Sequence, residues 1–445
     1  MTARQAAAKA LRVYRRSGVY PADALAKFSE TADARDVALA SRLVAGVLQN
    51  AALCDYVIAK YSSIPPTKLE PLVLDTLRLS VYTLLFLTRI PAHAAVDEGV
   101  ELIKNVNQKA APLVNAVLRR VAEQVARSNG EPVKVELDDE RERLSVQYSH
   151  PRELVDAFCR RFGIRDTELL LRADNDIAPV TLRVNTLLSD AETALAELIA
   201  DGVEVTPHPW MPGFIDMAGG NVERLRAFQD GHVFAQDAGA YLAVRAAGVQ
   251  AGQTVIDGCA APGGKSFSAA IDMENRGRIL SCDLPKKAET IADGAKRLGI
   301  RIIQAVPTDS REFNAEYESL ADVVLVDAPC SGFGVIRKKP EIRYKSDAET
   351  APLPEKQLAL LGNLSRYCKV GGTLLYSTCT LAERENEDVA REFLARHAEF
   401  EAEEFILPNV GKQSRGVPSR GGMVTLLPHE HGTDGFFICK MRRKA

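Results

Sequence analysis

Two short stretches place cysteine where it could do covalent work. "DAPC", Asp327 to Cys330, joins a carboxylate, a turn-stiffening proline and a thiol, and "STC", Ser377 to Cys379, supplies a second thiol. A thiolate is a strong nucleophile, and a carboxyl group beside it can hold or protonate a reacting nitrogen. A lone cysteine is more often a small apolar side chain, and that reading suits Cys54, Cys159, Cys282, Cys368 and Cys439. Only Cys330 and Cys379 combine the end of an apolar run with polar, turn-forming neighbours. Taken alone, the aspartate and proline around Cys330 favour it as the attacker. None of the seven histidines lies near either thiol in sequence, so a cysteine hydrolase lacks a local base, although the fold could still bring one close.

These groups need a frame, and the surrounding residues imply one. "TVIDGCAAPGGK", "GRILSCD", "RIIQAVPTD", "ADVVLVDAPC" and "GGTLLYSTC" are strand-like runs separated by helical segments such as "AETIADGAKRLG". This alternation predicts a parallel sheet covered on both faces, with ligands at the carboxyl ends of its strands. Asp257, Asp283, Asp309, Asp327 and Cys379 each close such a run.

The loop Asp257 to Lys265 carries Gly263 and Gly264, which let backbone approach a ligand closely. It has neither the G-x-G-x-x-G nor the G-x-x-x-x-G-K-[ST] spacing, which disfavours a dinucleotide dehydrogenase or a P-loop NTPase. Asp283, at the end of the second strand, is placed to accept hydrogen bonds from ribose hydroxyls. Such a loop and acidic strand end fit a nucleoside cofactor without a pyrophosphate. S-adenosylmethionine is one, and Asp309 would then lie near its adenine. A strand-end aspartate serves equally well as the N-cap of the next helix.

At 445 residues the chain calls for two or three domains. Its 46% apolar and 26% charged residues are ordinary globular values. The eight cysteines include no C-x-x-C pair, which disfavours a zinc site or a disulfide framework and suits a reducing compartment. The most apolar stretch, Leu72 to Leu87, is broken by Asp75 and Arg78, and no secretory signal opens the chain. A soluble, cytoplasmic protein with no membrane span and no metal is the expectation.

Net charge is only −3, but residues 1–130 hold 17 Lys and Arg against 11 Asp and Glu, an excess of six. That basic region could face a polyanion or simply be a solvated helical surface. From Thr2 to about Ala126 apolar residues recur three and four apart, predicting a bundle of five to seven helices, with "SNGEP" (Ser128 to Pro132) as a linker. Between Ser145 and Ala240 the pattern becomes mixed, with "APVTLRVN" and "VEVTPHPW" extended and "DAETALAELIADG" helical.

Taken together, "DGCAAPGGKS", "DAPCSGFGVIRKKPEIRY" and "LLYSTCTLAERENE" resemble the RsmB (Sun) group of RNA cytosine-5 methyltransferases, and "GTDGFFICKMRR" resembles that family's C-terminal strand. "LVNAVLRR" is similar to the end of the family's NusB-like front domain, and "TLRVN" to its RRM-like middle segment. The resemblance implies three parts: an all-α, NusB-like RNA-binding bundle at 1–127, a small α+β RRM-like segment at 145–240, and a Rossmann-like α/β S-adenosylmethionine-dependent methyltransferase at 241–445. It implies RNA as partner, 16S ribosomal RNA or an early small-subunit assembly intermediate, and a monomeric enzyme.

Carried over residue by residue, the resemblance makes Cys379 the nucleophile, Cys330 the group that assists release, and Asp327 the residue holding cytosine N3, with Lys265 near the reacting groups. Cys259, Ala260, Ala261, Pro262, Gly263, Gly264 and Lys265 would line the methionine end of the cofactor. Asp283 would bind ribose, Asp309 would lie near adenine, and Asp327 at the methyl-transfer end. The chemistry agrees, since carbon 5 of cytosine becomes nucleophilic only after a thiolate adds at carbon 6. The basic run Arg337, Lys338, Lys339, Arg343 and Lys345 is placed to meet RNA phosphates. Thr308 and Gly332-Phe333 depart from the family pattern at the adenine and base pockets.

Rival chemistries leave other marks. An exocyclic-nitrogen methyltransferase would carry an Asn/Asp-Pro-Pro-aromatic motif in place of "DAPC", and a DNA cytosine methyltransferase would leave "STC" superfluous. A tRNA substrate, or a non-catalytic RNA-binding ribosome assembly factor, are the alternatives within reach of the same domains.

Overall fold

Apolar residues at helical spacing and scarce glycine make the first 127 residues a helical bundle. In the computed structural model, which describes residues 1–128, 130–408, 410–411 and 416–444, seven α-helices fill it: Ala3–Ser17, Pro21–Ser29, Ala34–Gln49, Ala51–Tyr61, Pro71–Phe86, Ala92–Lys104 and Ala111–Arg127. Their starts are written locally. Thr2 and Gln5 form a capping box, Asp33 accepts from the amides of Arg35 and Asp36, and Pro21 and Pro71 open their helices. The inward faces bury Leu43, Ile58, Leu77, Leu79, Ile103 and Leu118 at 2% exposure or less. Each such side chain contributes about 1.5–3 kcal/mol of transfer free energy. The apolar helix Pro71–Phe86 is thus the centre of a core; among the described residues no single helix is long and apolar enough to cross a membrane.

The chain divides into two compact units, Met1–Asn175 with Lys339–Tyr344, and Asp176–Lys338 with Lys345–Ala445. Residues 145–175 group with the helical unit. Helices Glu140–Gln147, Arg152–Phe162 and Ile164–Ala173 belong to the first unit, where Ser149 Oγ accepts from the amide of Leu53 at 3.0 Å and Tyr56 OH accepts from that of Glu136 at 3.1 Å. Of the expected linker Ser128 to Pro132, Asn129 lies outside the described residues.

In the second unit, β1 (Val180–Val184), β2 (Val205–Pro207), β3 (Phe214–Met217) and β4 (Val233–Ala235) form an antiparallel sheet in the order β2-β3-β1-β4. Helix Ala191–Ala200, capped by Asp190, covers it through Ala194 and Leu198.

The larger sheet takes β5 (Thr254–Asp257), β6 (Arg278–Asp283), β7 (Ile303–Pro307), β8 (Ala321–Asp327) and β9 (Cys368–Thr378) in parallel, running β7-β6-β5-β8-β9. After β10 (Phe400–Ala402) and the small pair β11 (Ile406–Leu407) and β12 (Val417–Pro418), β13 (Met423–Leu426) and β14 (Phe436–Arg443) complete the edge. β14 pairs antiparallel with β9, β10 and β13. This is the expected Rossmann-like sheet with helices on its faces. The chain leaves β5 in one direction and returns on its other side at β8, so the crevice at their carboxyl ends is where ligands bind in such sheets.

Candidate active site

A cavity of ≈410 Å³ opens at those strand ends, within the 300–1,000 Å³ typical of small-molecule sites. Its wall includes Gly258, Cys259, Ala261, Asp283, Thr308, Asp309, Asp327, Cys330 and Cys379. Ala260, Pro262, Gly263 and Gly264 lie off the wall and shape the loop instead. Gly263, at φ +112°, leaves room for the Phe267 ring, which a Cβ would meet at 2.3 Å. Gln236 braces the loop by donating to the Gly264 carbonyl at 2.9 Å.

The strand-end carboxylates do not act as helix N-caps. Asp283 Oδ2 accepts from the Ala261 amide at 2.9 Å, tying the end of β6 to the loop after β5, and Oδ1 accepts from Leu284 at 2.8 Å. Asp309 lies two residues beyond β7 and is held by the Arg311 guanidinium, which draws its pKa down to about 2. Asp327 is fixed on both oxygens, by Lys265 Nζ at 2.5 Å and Ser377 Oγ at 2.9 Å. Burial works to lower the pKa of Lys265, but Asp327 overrides it and holds the ammonium above its ordinary value. Asp257, wholly buried, has its carboxyl pushed up to about 6 by desolvation, opposed in part by the Ser266 hydroxyl.

Pairing Asp327 with Ser377 across β8 and β9 sets the two thiol loops side by side. Cys330 Sγ lies 3.2 Å from Cys379 Sγ. The pair is electrically asymmetric. A hydrogen bond from Cys330 lowers the pKa of Cys379 and the Lys265 cation adds to this, whereas that same bond, burial and the Glu385 carboxylate raise Cys330. Of the two, Cys379 is the thiol that gives up its proton more readily. The other five cysteines are buried, Cys259 is half-buried, and none of the eight is bonded to another. Burial and the nearby carboxylates push the Cys259 thiol up.

Two groups of residues escape a reading of the sequence. Glu385 and Asn386, in a charged run that reads as surface, are 0% exposed and bond to the residues flanking both thiols. Gly334 and Gly435 meet so closely that a Cβ on Gly334 would lie 2.0 Å from the Gly435 carbonyl oxygen, and the Gly334 amide donates to the Cys379 carbonyl at 3.0 Å.

The basic run after Cys330 is a correction. Four of its five cations are engaged with protein groups rather than free to meet phosphate. Arg337 and Lys338 pair with Asp434, at 2.7 and 2.6 Å, and with Asp237, and Lys345 donates to the Ser331 carbonyl at 2.8 Å. Arg343, 1% exposed, donates to the carbonyls of Gln49, Tyr148 and Ser149 and to Asn175 Oδ1 within the first unit. Of the five, the exposed Lys339 is the one whose ammonium has no partner among the described residues.

The donor set fits S-adenosylmethionine. Three carboxylates on the wall, Asp283, Asp309 and Asp327, suit ribose hydroxyls, an amino-bearing base and a cationic sulfonium. Among the described residues no group of three or more His, Cys, Asp or Glu could hold a metal ion.

Known proteins carry the same plan. The 16S rRNA methyltransferase RsmB/F family matches residues 246–442, the NusB family residues 1–123, and the ferredoxin-like domain of RsmF/B-like methyltransferases residues 150–221. A Bacillus subtilis (strain 168) protein, "Probable ribosomal RNA small subunit methyltransferase B", is 38% identical over 91% of this chain and 90% of its own. The "Ribosomal RNA small subunit methyltransferase B" of Klebsiella pneumoniae is 30% identical over 99% and 98%. The crystal structure of PH0851 superposes with a TM-score of 0.76 at 28% identity, covering 99% of this chain and 98% of that one. NSun6 from Pyrococcus horikoshii, at 21% identity and a TM-score of 0.58 over 66% of this chain and 98% of its own, shares the fold. The chain, with its paired thiols at the end of a methyltransferase sheet, belongs to the ribosomal RNA small subunit methyltransferase B family, whose members are S-adenosylmethionine-dependent.

Proposed function

We propose that the protein methylates carbon 5 of a cytosine in small-subunit (16S) ribosomal RNA through a covalent Cys379 adduct at carbon 6. The observation that carries this reading is the Cys330–Cys379 contact at 3.2 Å, on the wall of a cavity that also presents Asp327. S-adenosylmethionine supplies an electrophilic methyl group. Asp283 and Asp309, with Cys259 and Ala261, would hold it at the strand ends, and Asp327 would lie at the methyl-transfer end.

The protein residues do the rest. Asp327, oriented by Lys265 and Ser377, holds N3 of a cytosine that has left its stack, because a thiol cannot reach carbon 6 inside a helix. The Cys379 thiolate adds to carbon 6, and the electron pair moves to carbon 5, which would take the methyl group as its bond to the sulfonium sulfur breaks and a neutral thioether leaves. A base removes the carbon-5 proton, the C6–S bond breaks, and the electrons return to Cys379 with Cys330 assisting. Residues 1–127 bind the RNA, and the enzyme works as a monomer in the cytoplasm.

Denaturing gels with an RNA substrate test the roles. Cys379→Ala abolishes methyl transfer and forms no adduct, and Cys330→Ala traps a covalent enzyme–RNA complex. An adduct formed by Cys379→Ala and absent from Cys330→Ala would reverse the two roles. Bisulfite sequencing of ribosomal RNA from a deletion strain identifies the cytosine.

A further inference from the structure

Glu385 and Asn386 are consecutive, wholly buried, and sit where a polar dipeptide has no packing reason to be. Each serves one thiol. Glu385 Oε2 accepts from the Ser331 amide at 2.9 Å and from Gln357 Nε2 at 3.0 Å, and Gln357 in turn donates to the Pro329 carbonyl at 2.9 Å. The residues on both sides of Cys330 are thereby fixed. Asn386 Oδ1 accepts from Thr378 Oγ1 at 2.6 Å, and its Nδ2 donates to the Thr380 carbonyl at 2.9 Å, so both neighbours of Cys379 are fixed as well. Ser331 Oγ and Thr380 Oγ1 join the two loops directly at 2.6 Å.

The charge is placed as tightly as the backbone. Glu385 Oε1 is buried without a hydrogen-bond partner, an arrangement that costs stability and so calls for a reason beyond packing. The ionisable groups acting on the two thiols divide unevenly. Asp327 acts on both. Glu385 adds to Cys330, while Lys265 and Asp434 act on Cys379, and Asp434 is itself paired with Arg337 and Lys338.

We propose that the Glu385–Asn386 dipeptide is a positioning clamp that sets the spacing of the two thiols and makes their surroundings unequal: Asn386 holds the loop of the attacking Cys379, and Glu385 holds the loop of Cys330 and brings its carboxylate to that side. The proposal rests on the reading of Cys379 as nucleophile and goes beyond it by naming what makes two chemically equal cysteines unequal. Neither clamp residue touches the cavity wall, so both act through the thiols.

Alkylation of the full-length protein by iodoacetamide, without RNA, tests it. Peptide mass spectrometry gives the labelled share at each cysteine as a function of pH. The wild type labels at Cys379. Glu385→Gln keeps an acceptor for Ser331 and Gln357 but removes the charge, and the Cys330:Cys379 labelling ratio rises by about tenfold, the equivalent of one pKa unit. Asn386→Asp removes the donor to Thr380 and adds a charge beside Cys379, moving the midpoint for Cys379 labelling up by about one unit. Both variants are isosteric, thermal melting confirms their fold, and either one suffices. A folded variant with wild-type labelling share and midpoint overturns the clamp. The cysteine assignment fails separately, if Cys330→Ala rather than Cys379→Ala removes the fast-labelling thiol.

Discussion

Lys265 Nζ lies 2.5 Å from Asp327 Oδ2, and its charge also reaches Cys379. One cation thus orients the carboxylate for the base and stabilises the thiolate. Thiolate is lost as pH falls through the Cys379 pKa, which Cys330 and Lys265 hold below the ordinary thiol value, so wild-type methylation persists below that value. Replacing Lys265 by Met shifts the acid limb of the pH–kcat profile upward by about one unit, a tenfold rate loss below the limb. A limb that does not move separates Lys265 from the thiol.

Asp327 is expected to act on the base rather than on the fold, because it ends a strand at the cavity and is about a third exposed. Asp327→Ala lowers methyl transfer by about 10²–10⁴-fold, the range for losing a positioned acid or base group. Single-turnover kinetics with RNA bound check this, and a loss confined to KM would limit Asp327 to binding. Thermal melting measures separately the cost of leaving the buried Lys265 ammonium without its partner.

Gly334 offers a steric test that changes no charge. A methyl there meets the Gly435 carbonyl at 2.0 Å and the Cys379 carbonyl at 2.8 Å, both backbone atoms that cannot swing aside. The Cys379 loop must shift. Gly334→Ala is expected to lower kcat by about 10²-fold, the effect of a displacement near 1 Å in a reacting group. An unimpaired Gly334→Ala enzyme would show that the loop tolerates movement.

Asp257 carries a stability signature. Its folded pKa of about 6 lies above the unfolded value near 3.9, so between those pH values the folded state binds more protons. Stability is therefore highest below the window and declines as pH rises through it. Asp257→Asn removes that decline, and its stability relative to wild type improves by about 2–3 kcal/mol between pH 4 and pH 7. Denaturant titrations at the two pH values measure the difference, and equal wild-type and variant slopes with pH would rule the shift out.

Arg343 is the converse, a charge that supports structure. Arg343→Met leaves the buried carbonyls of Gln49 and Ser149 and Asn175 Oδ1 without this donor, while the Tyr148 carbonyl keeps Asn175 Nδ2, for an expected loss of about 3–5 kcal/mol. Arg343→Lys, with one compact ammonium in place of a planar fork, restores only part of it. Thermal melting of both variants tests the order.

Local signals made much of this protein legible. Strands ending in Asp257, Asp283 and Asp327, the breaks at proline, the caps at Thr2 and Asp33, and the helical period of the first 127 residues all depend on neighbours a few positions apart, which a linear chain displays. The motifs around Cys259, Cys330 and Cys379 identified the family for the same reason. Burial and pairing are set by residues far away in sequence, and there the chain alone misled. Arg343 looks like a phosphate ligand until Gln49, Tyr148 and Ser149 close around it, and Glu385 looks solvated until Ser331 and Gln357 do. The sequence determined that two thiols follow strands of a methyltransferase sheet, and the pairing of β8 with β9 made those strands neighbours. Only the tertiary structure decided what makes their surroundings unequal, because the ammonium of Lys265 and the carboxylate of Glu385, far apart in the chain, reach them through space.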